Sequence, residues 1–408
     1  MRILFIGGTY SEQMEQDILE NTIGNGHIQN AANKFQLNLI EGFRSQRNIE
    51  LDILSLPFVA SFPAGYKKFF YRSRSCFESK NATKYIDFVN IVGLKNISRE
   101  NRLSRELTKY FRNDSSAKTI VVYSAHNPFL QAAISAKKAN KDIHICLIIP
   151  DLPQYMNLEK NKTSLYSFFK KYDTTLFYDS LEDVDSFVVL TSHMRKVLNI
   201  ENKPSIVIEG VVNRSEYNVK SSNQDIFKLR KSNTIVYTGT LNEKFGIKNL
   251  VDAFMMIPKH DIKLRICGSG DSEEYIKTKS NIDPRIEFLG KLSLEESITI
   301  QKKASILINP RQNNESYTKF SFPSKTMEYL LTGNPIIAYK LDGIPDEYDP
   351  YIYYVEDNSV EALVKKINEV LEVPAQQNQK KGADAINFVL ENKNNDFAAK
   401  RIISLFLK

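Results

Sequence analysis

Short apolar runs alternate with amphipathic helical stretches from one end of the chain to the other, and this alternation limits the fold more than any other feature. In the first half the runs read RILFIGG, ELDILSLP, TIVVYSAH, IHICLIIPD, SFVVLTS and SIVIEG. In the second half they read TIVYTGT, IKLRICGSG, RIEFLGKLS, ASILINPR and NPIIAYK. Between them lie segments of helical period such as NPFLQAAISAKKAN and SHMRKVLNI. Apolar runs bounded by turn residues and separated by helices predict parallel βαβ units, with helices covering both faces of the sheet.

A chain of 408 residues is long enough for two domains, each burying its own core. The polar stretch from Asn213, NRSEYNVKSSNQDIFKLRKSN, has no clean period and reads as a linker. The expected organisation is therefore an α/β chain of two Rossmann-like, doubly wound domains, 1–212 and 213–394, facing a central cleft. A final amphipathic helix over about 395–408, capped at Asn395 or Asp396, is free to pack back onto the first domain. In open parallel sheets ligands bind beyond the carboxyl ends of the strands, so such a cleft would grip one ligand from each side.

Composition narrows the partners. The net charge of +7 suits an anionic ligand or an anionic membrane surface, although a solubilising shell accounts for part of it. Cys76, Cys146 and Cys267 are scattered without metal-ligand spacing, and the last two lie in apolar runs, so buried free thiols are expected and no metal. The pair in DVD, Asp183 and Asp185, precedes its strand instead of following it, and no metal is read from it either. The opening apolar run is too short for a secretory signal, and no stretch is long enough to span a bilayer. The expectation is a cytoplasmic protein, working at the inner face of the plasma membrane if it meets lipid.

The segment FSFPSKTMEYLLTGNPIIAY, Phe320 to Tyr339, carries the most chemistry. Lys325 sits in the first turn of a helix, where the dipole prefers acids. Glu328 comes one residue too late to close a capping box on Ser324. The unpaired amides of Ser324 and Lys325 at the positive end of the helix, with the lysine charge, suit a diphosphate. Glu328 follows on the same face after a rise of about 5.4 Å per turn, roughly the step from a nucleotide's phosphates to its ribose hydroxyls. The alternative for Glu328 is a solvated first-turn acid favouring the dipole. In IVYTGTLNEKFGIKNL, Gly239 permits close backbone approach and Lys244 reaches an anion, or the segment is an ordinary βα turn. LRICGSGD ends a strand at Gly268 and Gly270 without the third glycine of a dinucleotide fingerprint. IEFLGKLS places Lys291 and a glycine at a strand mouth, where free backbone groups suit a flat base.

In the first half, Gly7 and Gly8 end the first strand, in a close approach to ligand or a simple tight turn. His126 and Asp151 stand at strand ends and are the candidate catalytic groups, Asp151 for positioning the acceptor or the reacting sugar, with a purely structural histidine as the alternative for His126. YSFFK, Tyr166 to Lys170, has the spacing of a short-chain dehydrogenase pair, but no full glycine fingerprint follows the first strand.

The series GTLNEKFGIKNL, RICGSGD, IEFLGKLS, NPR…FPSKTMEYLLTGNPIIA and DGIPDEY resembles the donor half of glycosyltransferase family four. VVYSAHNPF, FVVLTSHM and VIEGVVN in the first half follow the family's order. The resemblance implies the GT-B fold, a retaining mechanism, and a nucleotide-diphosphate sugar as donor without a further cofactor. It also implies an acceptor-binding first domain. Glu328 matches the family's ribose-binding glutamate, and Gly239 and Lys244 its diphosphate segment. Three positions depart from the pattern. Thr240 stands where Arg is usual, Phe320 where a second Glu is common, and Pro150 where many members have His. Arg311 and Lys325 are candidates to restore the charge lost at Thr240.

The resemblance further implies a hexose transferred to a lipid-linked or polysaccharide acceptor in capsule, exopolysaccharide or O-antigen synthesis. FPAGYKKFFYRSRSCF, Phe62 to Phe77, interleaves cations and aromatic rings and suits an anionic bilayer, or forms a mobile basic loop. Nothing else in the chain supports a nucleic-acid partner. A non-catalytic protein of the same fold and a sugar-nucleotide epimerase are the alternative readings.

Overall fold

The computed structural model describes residues 1–24, 29–73, 83–113, 118–153, 164–217 and 233–407. The chain divides into two compact units, Met1–Asn213 with Asn394–Lys408, and Arg214–Lys393. Each is built around one parallel sheet.

The first unit runs β1 (Arg2–Gly7), α1 (Glu12–Asn21), α2 (Asn30–Arg44), β2 (Glu50–Ser55), β3 (Phe70–Tyr71), β4 (Thr83–Tyr85), β5 (Phe88–Val89), α3 (Lys95–Asn113) and β6 (Thr119–Tyr123). It continues with α4 (Asn127–Ala139), β7 (His144–Ile149), α5 (Ser164–Ser180), β8 (Ser186–Val189), α6 (Met194–Val197) and β9 (Ser205–Val207). Its seven-stranded sheet has the order β4-β2-β1-β6-β7-β8-β9, while β3 and β5 pair antiparallel outside it. Strands β1, β6, β7 and β8 in the middle of the sheet are nearly continuous apolar runs, as expected of strands covered on both sides. The chain winds away from β1 in one direction through β2 and in the other through β6, which makes the β1/β6 boundary the switch point of this sheet.

The second unit runs β10 (Thr234–Thr238), α7 (Ile247–Met255), β11 (Lys263–Cys267), α8 (Glu273–Ile282), β12 (Ile286–Gly290), α9 (Leu294–Lys303) and β13 (Ile306–Asn309). After these come α10 (Ser324–Leu330), β14 (Ile336–Tyr339), β15 (Tyr353–Val355), α11 (Val360–Glu372) and α12 (Ala375–Asn392). The sheet order is β12-β11-β10-β13-β14-β15, all parallel, with its switch point between β10 and β13.

The last helix, α13 (Asn395–Ile403), lies on α2 of the first unit. Ala398, Ala399 and Ile402 join Leu39, Ile40 and Phe43 in one buried cluster, each large aliphatic side chain contributing about 1.5–3 kcal/mol. The helices approach closely because Gly42 has no Cβ; one there would lie 2.1 Å from the carbonyl oxygen of Asn395. The cap is not Asn395 or Asp396 but Asn394, whose Oδ1 accepts the Phe397 amide at 2.8 Å. Asn395 is already helical, and its own amide is spent on the carbonyl of Val212.

Cys146 and Cys267 are buried free thiols, and Cys76 lies outside the described residues. Asp185 binds Lys137 at 2.6 Å and the Ile145 amide at 2.7 Å, so this acid braces β7 against α4. The basic aromatic segment is only partly a surface feature. Tyr71 is buried and stacked on Phe88, and Lys67 and Lys68 reach back to the Glu20 carbonyl and to Asp17 on α1. Phe69 is 62% exposed, and Val92, Leu94 and Ile97 are exposed too. Its end, from Arg74 to Phe77, lies outside the described residues. Among the described residues no helix is long and apolar enough to cross a membrane.

Candidate functional site

In the second unit the switch point collects several of the singled-out residues. Helix α10 is N-capped by Pro323, which makes Ser324 the exposed first helical residue and not the cap. Its first backbone bond runs from the Thr326 amide to the Pro323 carbonyl, and the amides of Ser324 and Lys325 have no partner among the described residues. One turn in, Tyr329 is fully buried. Its hydroxyl accepts from the Thr238 amide at 2.9 Å and donates to the Thr238 carbonyl at 3.2 Å. Those groups belong to the last residue of β10, which still pairs with Cys267 of β11 but lies beyond the pairing with β13, so the tyrosine fastens α10 to the end of the central strand. Glu328, its neighbour, is thereby held near the switch point. Its side chain is 21% exposed and pairs with Lys325 at 2.5 Å. Glu328 also acts on Tyr217, whose hydroxyl is pushed up to about 12 by burial first and by the charges of Glu216 and Glu328 after it. The carboxylate therefore sits in a half-buried, charged setting and is not spread into bulk water.

Arg311 follows β13 and donates through Nη2 to Ser321 Oγ at 3.0 Å, in the loop that enters α10. Its guanidinium lies over the rings of Tyr317 at 4.8 Å and Phe245 at 5.3 Å. Burial lowers its affinity for the proton, and its Nε is a buried donor without a partner. An arginine stays charged in such a setting, so a positive charge stands close behind the α10 entry loop. Phe245 also carries Lys244, whose Nζ lies 5.3 Å from the ring centre. One aromatic ring thus gathers two cations, Lys244 and Arg311, that are far apart in sequence.

The glycines serve packing. A Cβ on Gly268 would lie 1.8 Å from the Gly239 carbonyl oxygen, and one on Gly239 would meet the Tyr237 hydroxyl at 2.8 Å. The loops after β10 and β11 rest on each other, which accounts for both glycines without a ligand. Thr240 is exposed, and its carbonyl accepts from the Tyr237 hydroxyl at 2.8 Å. Lys291 follows the edge strand β12, which β11 separates from β10.

In the first unit, Gly8 is filled around by protein. Its amide donates to Gln36 Oε1 at 2.9 Å, and a Cβ there would meet the Phe58 ring at 2.3 Å. The amide is thus not free for a ligand. His126 follows β6 and is enclosed edge-on by Phe58 and Phe129, with centroids at 5.5 and 4.7 Å. Arg99 Nη1 lies 3.2 Å from its Nε2. A guanidinium only donates, so Nε2 accepts and the ring proton is on Nδ1. Burial, then Arg99 and Lys95, keep its pKa well below the usual histidine range, so the ring is neutral. Asp151, after β7, keeps solvent access, while crowding by the surrounding protein raises its carboxyl above the usual range.

Sequence reading overlooked Tyr329, Phe245 and Arg99. A signal existed for Phe245, which adjoins Lys244 in NEKFG; the other two act through partners remote in sequence.

Residues 219–388 match the model of the family glycosyl transferases group 1. An uncharacterized glycosyltransferase of Methanocaldococcus jannaschii is 24% identical over 276 residues, 64% of this chain and 69% of that one. The D-inositol 3-phosphate glycosyltransferase of Corynebacterium efficiens is 29% identical over 122 residues, 27% of each chain. Among solved structures, sucrose-phosphate synthase from Thermosynechococcus elongatus superposes with a TM-score of 0.65 at 14% identity, covering 100% of this chain and 98% of that one. Anabaena HepE in complex with UDP superposes with a TM-score of 0.61 at 13% identity, with 100% of each chain covered. At such identities the structural likeness establishes the fold, which is GT-B.

Proposed function

From the GT-B fold and the match of residues 219–388 to the group 1 family, we propose that the protein is a glycosyltransferase that moves a hexose from a nucleotide-diphosphate sugar, with retention of configuration. The acceptor in this reading is a lipid-linked or polysaccharide glycan of the bacterial surface. The observation that carries it is the Glu328–Lys325 pair at the amino end of α10, fastened to the central strand through Tyr329. Solved relatives of the same fold that hold UDP or UDP-glucose lend support to the donor class.

In this reading Glu328 accepts the ribose hydroxyls. The amides of Ser324 and Lys325 and the charges of Lys325, Lys244 and Arg311 face the diphosphate. Departure of the nucleoside diphosphate is the hard step, because negative charge grows on the leaving oxygen. Cations held in place before the reaction stabilise that charge without reorganising. The acceptor's hydroxyl attacks the anomeric carbon on the face the diphosphate leaves, and the leaving phosphate takes its proton. Asp151 orients the acceptor or the reacting sugar. Phe69 and the exposed Val92, Leu94 and Ile97, with Lys67, Lys68 and Arg72, form the face toward an anionic membrane.

The test screens purified protein for thermal stabilisation by common sugar nucleotides, since a ligand of the native state raises the melting temperature. It then follows hydrolysis or transfer from the best of them. Activity in the wild type that disappears in Glu328→Ala supports the proposal. A sugar nucleotide that binds but is never turned over favours the non-catalytic reading, to which the exposed Thr240 at the family's arginine position also points.

A further inference from the structure

The first unit contains a cationic cluster that the donor chemistry does not use. Helix α3 opens with Lys95, and Arg99 follows one turn later on the same face. Arg99 is 2% exposed. It donates to the Pro57 carbonyl and to His126 Nε2, and its guanidinium lies 4.3 Å from the centre of the Phe88 ring. Lys95 Nζ donates to the Val59 carbonyl and lies 3.4 Å from Ser61 Oγ. Neither cation meets a carboxylate among the described residues. Burial, and then Arg99, depress Lys95 to about 6, as expected for a cation withdrawn from water beside another.

A buried guanidinium beside a half-buried lysine, with no counter-charge among the described residues, is unfavourable, and perturbed groups of this kind concentrate at ligand sites. The location agrees with that. Pro57 to Ser61 follow β2, and His126 follows β6, on either side of β1, at the switch point where doubly wound sheets bind ligands. The turn that presents His126 is strained: Ser124 has φ +85°, a conformation costly for a residue with a side chain. His126 Nδ1–H has no partner among the described residues, and Lys95, once a bound anion holds it protonated, has a third proton to donate.

We propose that Lys95 and the Nδ1–H of His126 bind an oxyanion, a phosphoryl or carboxylate group carried by the acceptor, with Arg99 fixing the imidazole and adding positive charge behind it. The assignment to the acceptor rests on the transferase reading; the oxyanion site itself does not.

Calorimetric titration of the full chain at low ionic strength, with inorganic phosphate and separately with acetate, tests the site. Wild type binds at least one of the two, and the tighter one tells phosphoryl from carboxylate. Lys95→Met weakens that binding about tenfold or more, the usual size for a lost charged hydrogen bond, and Lys95→Arg restores most of it. Lys325→Ala leaves the part of this binding that depends on Lys95 intact, so a failure of the donor site shows up separately, in the loss of UDP-glucose binding. Absence of phosphate and acetate binding, or equal affinity in wild type and Lys95→Met, overturns the site. If Lys95→Met does not fold, the lysine carbon spectrum of the wild type decides: a Lys95 Cε resonance unmoved by either anion overturns it as well.

Discussion

Replacing Glu328 with Gln separates a ribose ligand from a helix ornament. The amide keeps the volume and one accepting oxygen but loses the charge and the second acceptor. Hydrogen bonds to a charged group contribute about 1.5–3 kcal/mol, and neutral ones about 0.5–1.5. Two hydroxyl bonds to the carboxylate at the low end of that range, replaced by one to the amide, leave a deficit of about 2 kcal/mol as the smallest expected effect. That is about thirtyfold in Kd for UDP-glucose. The same substitution removes the ion pair with Lys325, whose side chains are 33% and 21% exposed. Pairs of that kind are worth about 0.3–0.5 kcal/mol, which moves the melting temperature by about 1–2 °C in a unit of this size. Affinity therefore falls while stability hardly changes. Inorganic pyrophosphate, which has no ribose, should bind no more weakly to the variant, since a nearby negative charge has been removed. Calorimetric titration of both ligands and a thermal melt of the free proteins provide the check. UDP-glucose affinity within twofold of wild type, or pyrophosphate weakened in step with it, refutes the ribose assignment.

Gly268→Ala places a Cβ 1.8 Å from a backbone oxygen at φ +144°, so it should cost several kcal/mol and yield little folded protein. Gly290→Ala, at φ +66° with open space around it, should cost only about 1–2 kcal/mol, and comparing the two urea midpoints checks both. His126 should show no titration through the ordinary histidine range by carbon NMR, with its proton on Nδ1. Because its folded pKa lies below the unfolded one, the unfolded chain takes up a proton first as pH falls through about 6.5. The histidine therefore subtracts stability toward acid, and His126→Phe should flatten that part of the pH–stability curve. Liposomes containing anionic lipid should sediment the protein. Removing the charges of Lys67, Lys68, Arg72 and Arg74 should abolish this, and equal sedimentation of the two proteins dismisses the membrane face.

The eleven apolar runs read from the sequence correspond to β1, β2, β6 to β9 and β10 to β14. They were legible because a strand covered on both faces needs continuous apolar side chains, and that is a local property of the chain. The short β3, β4, β5 and β15 were not, since two or three residues carry no period. The Ser324–Glu328 spacing was likewise readable, because helical rise and turn follow from neighbouring residues alone. What gathers around that helix was decided by tertiary structure. Tyr329 meets Thr238 across 91 positions of sequence, Phe245 collects Arg311 beside Lys244, and β11 separates the strand before Lys291 from β10. The glycines after β10 and β11 answer to each other's backbone, and His126 is held neutral by an arginine whose importance no motif announced. Periodicity is set by bonded neighbours, but convergence of side chains depends on how whole elements pack, and packing is a property of the folded chain.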